Sequence, residues 1–172
     1  MYLKLFDHLV MTCVAFLFNA NCYFRTTGLH RYIATPYNMP IEELFVQSID
    51  ELASQIELAH QNGRLVFVYF SGSTDMNTGD SWSEDCCKCE SIIESKIGVA
   101  KDNDLFIMIE VGNENEWNDS NNKFRIHPLY QVKELPTLLS LSSLNGQTHI
   151  VNRLEGKSCL NSTNVQNLLE GN

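Results

Sequence analysis

Basic residues are scarce in this chain: twelve Lys and Arg stand against twenty-one Asp and Glu, a net charge of −9 over 172 residues. A nucleic-acid surface is therefore not expected, because neutralising phosphates takes clustered cationic side chains. Long apolar runs are missing too. The most apolar stretch, Leu9 to Phe18 (LVMTCVAFLF), has ten residues, whereas a helical membrane span needs about 20. No internal repeat or low-complexity tract is visible, and the cysteines lack the second matched pair that a structural zinc site requires. The length suits one compact domain with an appendage and argues against a multidomain enzyme. At 44% hydrophobic and 19% charged residues, the composition is that of a folding, globular chain.

The charge is uneven. Lys4, Arg25 and Arg31 against Asp7 give residues 1–38 a net charge of +2, which leaves −11 for the remainder. Residues 1–38 therefore read as an N-terminal extension or signal segment ahead of a domain spanning 39–172. Leu9–Phe18 has the length of a signal-peptide core, but Asp7 and His8 interrupt the approach to it. Phe18-Asn19-Ala20 also makes a poor cleavage site. The other reading is an extension upstream of an internal start at Met39. If residues 1–22 were a signal peptide the chain would be secreted; then Asn118-Asp119-Ser120 and Asn161-Ser162-Thr163 would be glycan acceptors and Cys13 could close on Cys22. Otherwise a cytoplasmic location is expected.

From residue 39 the pattern becomes regular. Ser48, three positions before Glu51, has the spacing of a capping box; Leu52, Ile56 and Ala59 follow at helical intervals, and Asn62-Gly63 is a stop. Arg64 to Phe70 (RLVFVYF) is a β-branched and aromatic run expected to be a buried central strand. Ser71 to Asp80 is a polar loop, and Ser83 to about Lys96 a second helix. Leu105 to Val111 is a second buried strand and Gly112 to Asn122 an Asn-rich loop, with a short helix near Phe124. Thr137 to Leu141 and His149 to Leu154 flank an Asn145-Gly146 turn, and Val165 to Leu169 belongs to a closing helix. Strands alternating with helices and ending in a hairpin predict an α/β fold: a central mixed sheet with helices on both faces.

The chemistry concentrates where the first of these strands runs towards the second helix, at Ser81-Trp82-Ser83-Glu84-Asp85-Cys86-Cys87-Lys88-Cys89. A strand, a loop, Trp-x-x-x-Cys at a helix start, and much later Leu135-Pro136-Thr137 before a strand resemble a thioredoxin-like fold. The string Val111-Gly112, Trp117-Asn118-Asp119, Asn121-Asn122, Phe124-Arg125 and then ELPTLL resembles the thioredoxin domain-containing protein 17 family, small thioredoxin-related protein-disulfide reductases. The resemblance runs from about residue 41 to 169. In that family the motif is Trp-Cys-Pro-Asp-Cys, which lays Trp82, Asp85 and Cys86 on their counterparts, Ser83 on the nucleophilic cysteine and Glu84 on the proline. The resemblance implies Cys86 and the position of Ser83 as catalytic. It also implies Trp82, Asp85, Leu135, Pro136 and Thr137 as the substrate-binding set, with a cis bond at Leu135-Pro136.

A serine hydroxyl stays protonated near neutrality and forms no disulfide, so the two-cysteine cycle between 83 and 86 is lost. A cysteine there would be activated by the helix N-terminus, an effect the thioredoxin cysteine itself exemplifies. Ser83 instead suits an N-cap, with Glu84 and Asp85 in the first turn. Cys86 and Cys89 form a second CxxC at i and i+3, so Cys89 is a candidate substitute. Against this, Glu84, Asp85 and Glu90 would oppose a thiolate, and both cysteines also suit small buried positions. A zinc site from Cys86, Cys87 and Cys89 is disfavoured, because adjacent cysteines on one helix converge poorly. Cys159 reads as a surface or half-buried thiol, Phe124 as a core anchor and Arg125 as a surface charge. Trp82 serves equally to pack the loop onto the helix.

Two functional classes follow. One is a protein-disulfide reductase with impaired dithiol activity, taking electrons from NADPH through thioredoxin reductase, binding no cofactor or metal itself, and acting as a monomer on disulfide-containing proteins. The other is a redox-inactive module that grips extended peptides or partner proteins.

Overall fold

The computed structural model describes residues 41–75 and 78–172. The expected boundary at 38/39, the signal-segment reading and any Cys13–Cys22 bridge lie outside the described residues. The elements are β1 (Glu42–Val46), α1 (Ile49–Gln61), β2 (Val66–Ser71), α2 (Glu84–Lys96), β3 (Leu105–Glu110), α3 (Glu114–Asn118), α4 (Lys123–Ile126), β4 (Thr137–Leu144), β5 (Gln147–Glu155) and α5 (Ser162–Glu170). Short 3-10 turns cover Ile97–Val99 and Gly156–Leu160.

The five strands form one sheet in the order β1-β3-β2-β4-β5. β1, β3 and β2 run parallel, while β4 and β5 are antiparallel additions. All six residues of β2 are buried, as expected of a strand covered on both faces. Its alternation divides the core. Val66, Val68 and Phe70 join the cluster that α1 covers with Leu52, Ile56 and Ala59. Phe67 and Tyr69 join the opposite cluster, built with Cys89 and Ile93 of α2 and Val165, Leu168 and Leu169 of α5. Helices therefore cover both faces of a mixed sheet.

Local signals hold with informative departures. The Ser48 hydroxyl accepts from Glu51 N at 3.1 Å, but the Glu51 carboxylate takes Gln47 N (2.9 Å) rather than the Ser48 amide, so the box closes one residue early. The Asn145-Gly146 turn has positive φ at both residues (54° and 76°), the geometry that matches a two-residue hairpin to strand twist. The sequence pattern gave no sign of β1, since Glu42, Glu43 and Phe45 of its five residues point outward and only Val46 is fully buried. It is an edge strand, held by β3 alone. The expected Asn-rich loop contains α3, a single turn capped by Asn113, whose side chain accepts from Asn115 N and Glu116 N while Glu116 bonds back to Asn113 N. Phe124 is the expected core anchor, edge-on to Phe70 at 5.9 Å. Arg125 is not a free surface charge: it donates to Trp117 O and lies 4.8 Å over the Trp117 ring.

Candidate functional site

β2 and β3 run parallel and β4 opposes them, so the loop after β2, the loop after β3 and the start of β4 meet at one end of the sheet. Phe70 pairs with Thr137 across β2 and β4. The loop from Gly72 to Trp82, which composition marks only as polar, is pinned at many points. Thr74 and Ser81 bridge it, Ser73 N donates to Gly112 O, and both Thr74 N and its hydroxyl donate to Glu110 (2.9 and 2.7 Å). Trp82 closes it, donating Nε1 to Gly112 O at 2.9 Å while its ring packs on the α1-side core. A cavity of about 320 Å³ opens beside Trp82, lined by Ser73, Thr74, Asn113 and their neighbours. A larger one of about 590 Å³, between the end of β1 and α3–α4, contains none of residues 82–89.

Ser83 stands at the N-cap of α2, and its carbonyl accepts from Cys86 N (3.0 Å) and Cys87 N (3.3 Å). Its hydroxyl makes no capping bond, a correction to the expected cap. The reason is reach. Ser48 at ψ 158° touches its helix, whereas Ser83 has φ −96° and ψ 111°. Asn161 starts α5 at nearly the same angles and does cap, because its side chain is longer. Asp85 is half-buried in the first turn, 3.7 Å from Lys88. Lys88 also pairs with Glu84 at 2.7 Å, a contact that holds the Glu84 carboxyl below its usual range.

Cys86 is fully buried below Ser83, and Tyr69 donates its phenol to Cys86 O at 3.0 Å. Cys89 is equally buried, one turn deeper. Its thiol is pushed well up, first by a hydrogen bond with Cys159 and then by desolvation; the acidic neighbours expected to oppose its thiolate are not the cause. Cys159 is itself wholly buried rather than a surface or half-buried thiol, since the Gly156–Leu160 turn tucks it beneath Pro136. Cys87 is the half-exposed thiol of α2 and faces Ser81 O at 3.5 Å.

On the β4 side, the Leu135–Pro136 peptide is cis, Leu135 is half-buried and Pro136 is buried. Pro136 O is occupied by Gly156 N at 2.8 Å and by the Cys159 thiol at 3.4 Å. Thr137 has no side-chain surface to offer a ligand: it is fully buried and donates its hydroxyl to Glu134 O at 2.6 Å. Sequence reasoning missed Tyr69 and Ser71, and it named Gly112 and Glu90 without the contacts they make here, Gly112 O accepting from Trp82 and Glu90 from Ser71. Ser71 donates to Glu90 at 2.8 Å. Burial, with Glu94 and Glu110 nearby, holds the Glu90 carboxyl above its usual range, and the Ser71 bond opposes the shift. None of these contacts carries a sequence signal, because each joins residues far apart along the chain. Among the described residues, no group of three or more His, Cys, Asp or Glu could hold a metal ion.

A central mixed sheet, a strand-loop-helix unit with Trp82 to Cys86 at its bend, and a proline-led antiparallel strand beside it define a thioredoxin-like protein. The profile for the thioredoxin domain of thioredoxin domain-containing protein 17-like proteins matches residues 45–171. The chain belongs to that family. Human thioredoxin domain-containing protein 17 is 35% identical over 98 residues, covering 57% of this chain and 76% of the human protein. The protein of the same name from Danio rerio is 33% identical over the same shares. Among solved structures, a poplar thioredoxin h aligns with a TM-score of 0.49 and 18% identity, covering 76% of this chain and 95% of that one.

Proposed function

We propose that this thioredoxin-related protein acts on protein disulfides as a member of the disulfide-reductase type whose dithiol turnover is impaired. The observation that carries the reading is Ser83 at the N-cap of α2, with Cys86 fully buried behind it. The amides at the start of α2 and its dipole are disposed to favour an anion at position 83, but a hydroxyl supplies none at neutral pH. Trp82 and the Leu135–Pro136 segment then bound the groove that receives an extended chain, with Asp85 at its helix side; Thr137, buried and flanked by β2 and β5, supports that segment from within the sheet. Cys86 is the remaining thiol of the family pair. Cys89 is a poor substitute, because a buried, strongly protonated thiol attacks slowly. Any electrons would come from NADPH through thioredoxin reductase, with the protein working as a monomer in the cytoplasm.

A second reading, a binding module with no redox step, draws support from the burial of both Cys86 and Cys89. Turnover of an insulin-type disulfide with NADPH and thioredoxin reductase separates the two. The parent is expected near background. Ser83→Cys is expected to raise turnover by roughly two orders of magnitude or more, since losing a nucleophile costs several orders in other enzymes. Adding Cys86→Ser should cancel that gain. Glu84 in place of the family proline will keep the restored protein below a full reductase, since an acidic neighbour disfavours the thiolate. If Ser83→Cys gains nothing, the binding module is the correct reading. If the parent turns over well and Cys89→Ser abolishes it, the active pair is Cys86 and Cys89.

A further inference from the structure

Two thiols outside the family motif meet beneath the site. Cys89 lies on α2 and Cys159 in the Gly156–Leu160 turn; both are wholly buried in the same apolar cluster, among Phe67, Tyr69, Ile93 and Leu138. α2 and the turn are packed together. Cys159 donates its proton to Pro136 O at 3.4 Å, and Cys159 is the neighbour that does most to push the Cys89 thiol up. Thiols brought together from distant points of the chain, with no third metal ligand beside them among the described residues, are suited to one reaction above others.

We propose that Cys89 and Cys159 are a second dithiol of this protein, able to close as an intramolecular disulfide that ties α2 to the Gly156–Leu160 turn. The oxidant is a low-molecular-weight disulfide such as oxidised glutathione. One cysteine, as its thiolate, attacks that disulfide, forming a mixed disulfide and releasing one glutathione thiolate. The other cysteine loses its proton and displaces the second glutathione, forming the Cys89–Cys159 bond. Two protein thiols lose two protons and two electrons, and one glutathione disulfide becomes two glutathione thiols. Because both sulfurs are buried, closure runs through local opening of the turn or during folding. It also removes the thiol proton that Cys159 donates to Pro136 O.

The test uses the full chain, incubated folded in oxidised glutathione and, in parallel, refolded from urea in the same buffer. Free thiols are then alkylated and the chain is cut with trypsin. Cleavage after Lys88, Lys96 and Lys157 places Cys89 in peptide 89–96, Cys159 in 158–172, and Cys86 with Cys87 in 65–88. The expected product is a linked pair of 89–96 and 158–172 that dithiothreitol separates. Its formation should raise the thermal midpoint by roughly 5–15 °C, as a long closed loop does, and Cys159→Ala should show neither the link nor the rise. Recovery of both peptides unlinked after folded incubation and oxidative refolding overturns the proposal, as does a link from 89–96 to 65–88.

Discussion

Ser83 and Asn161 begin two helices with nearly the same backbone angles, yet only Asn161 reaches the helix amides. One more atom of side chain decides it. Ser83→Asn should therefore cap α2 and add about 0.5–1 kcal/mol, seen as a higher thermal midpoint with no gain in disulfide turnover. Ser83→Cys should show the opposite pattern, activity without added stability. Glu90 supplies a pH test. Its folded carboxyl holds a proton more tightly than in the unfolded chain, mainly through burial. Its contribution is then full below the ordinary value of 4.5 and is lost as pH rises through the folded value. Glu90→Gln keeps an oxygen for the Ser71 hydroxyl and removes the titration. The variant should melt higher than the parent at pH 7, with the difference closing below pH about 4.5; a constant difference across that window would assign the effect to packing instead.

At the scale of elements, the loop between β2 and α2 is a structured part of the site. It is fastened to the end of β3 by Ser73, Thr74 and Trp82, and a Cβ on Gly72 would come within 2.7 Å of the Trp82 ring. Gly72→Ala should displace the indole, break its bond to Gly112 O and cost about 1–3 kcal/mol, as overpacking does. Thermal melts would read the loss, and a red-shifted tryptophan emission would show that Trp82 had moved. The composition of this loop revealed turn residues but not its fastenings to Glu110 and Gly112, because those partners lie some 30 or more residues further along the chain. The same limit hid β1, whereas the Asn113–Glu116 capping signal of α3 is local and was passed over in an Asn-rich stretch. β1 is half-exposed with no clean alternation, and α3 is one turn whose helical character rests on the Asn113–Glu116 box.

Over the described residues, the capped helix α1, all five strands of the sheet and the helices that cover both its faces lie within 41–172. A 39–172 fragment is therefore expected to fold alone with one cooperative thermal transition, and a non-cooperative melt would move the domain boundary into residues 1–38. The patterns that act over a few residues were legible beforehand: the buried runs of β2 and β3, the spacing of α1, the Asn145-Gly146 hairpin, and a motif with serine where a cysteine should stand. These follow from backbone sterics and side-chain periodicity, which each segment carries in its own residues. Tertiary structure alone decided the burial of Cys159 and of Thr137, the seat of Trp82 on Gly112 O and the environment of Glu90. Burial and hydrogen bonding belong to pairs of groups, and the partners of these four lie on other elements of the fold. Only when α2, β3, β4 and the Gly156–Leu160 turn are packed around one end of the sheet do those pairs exist.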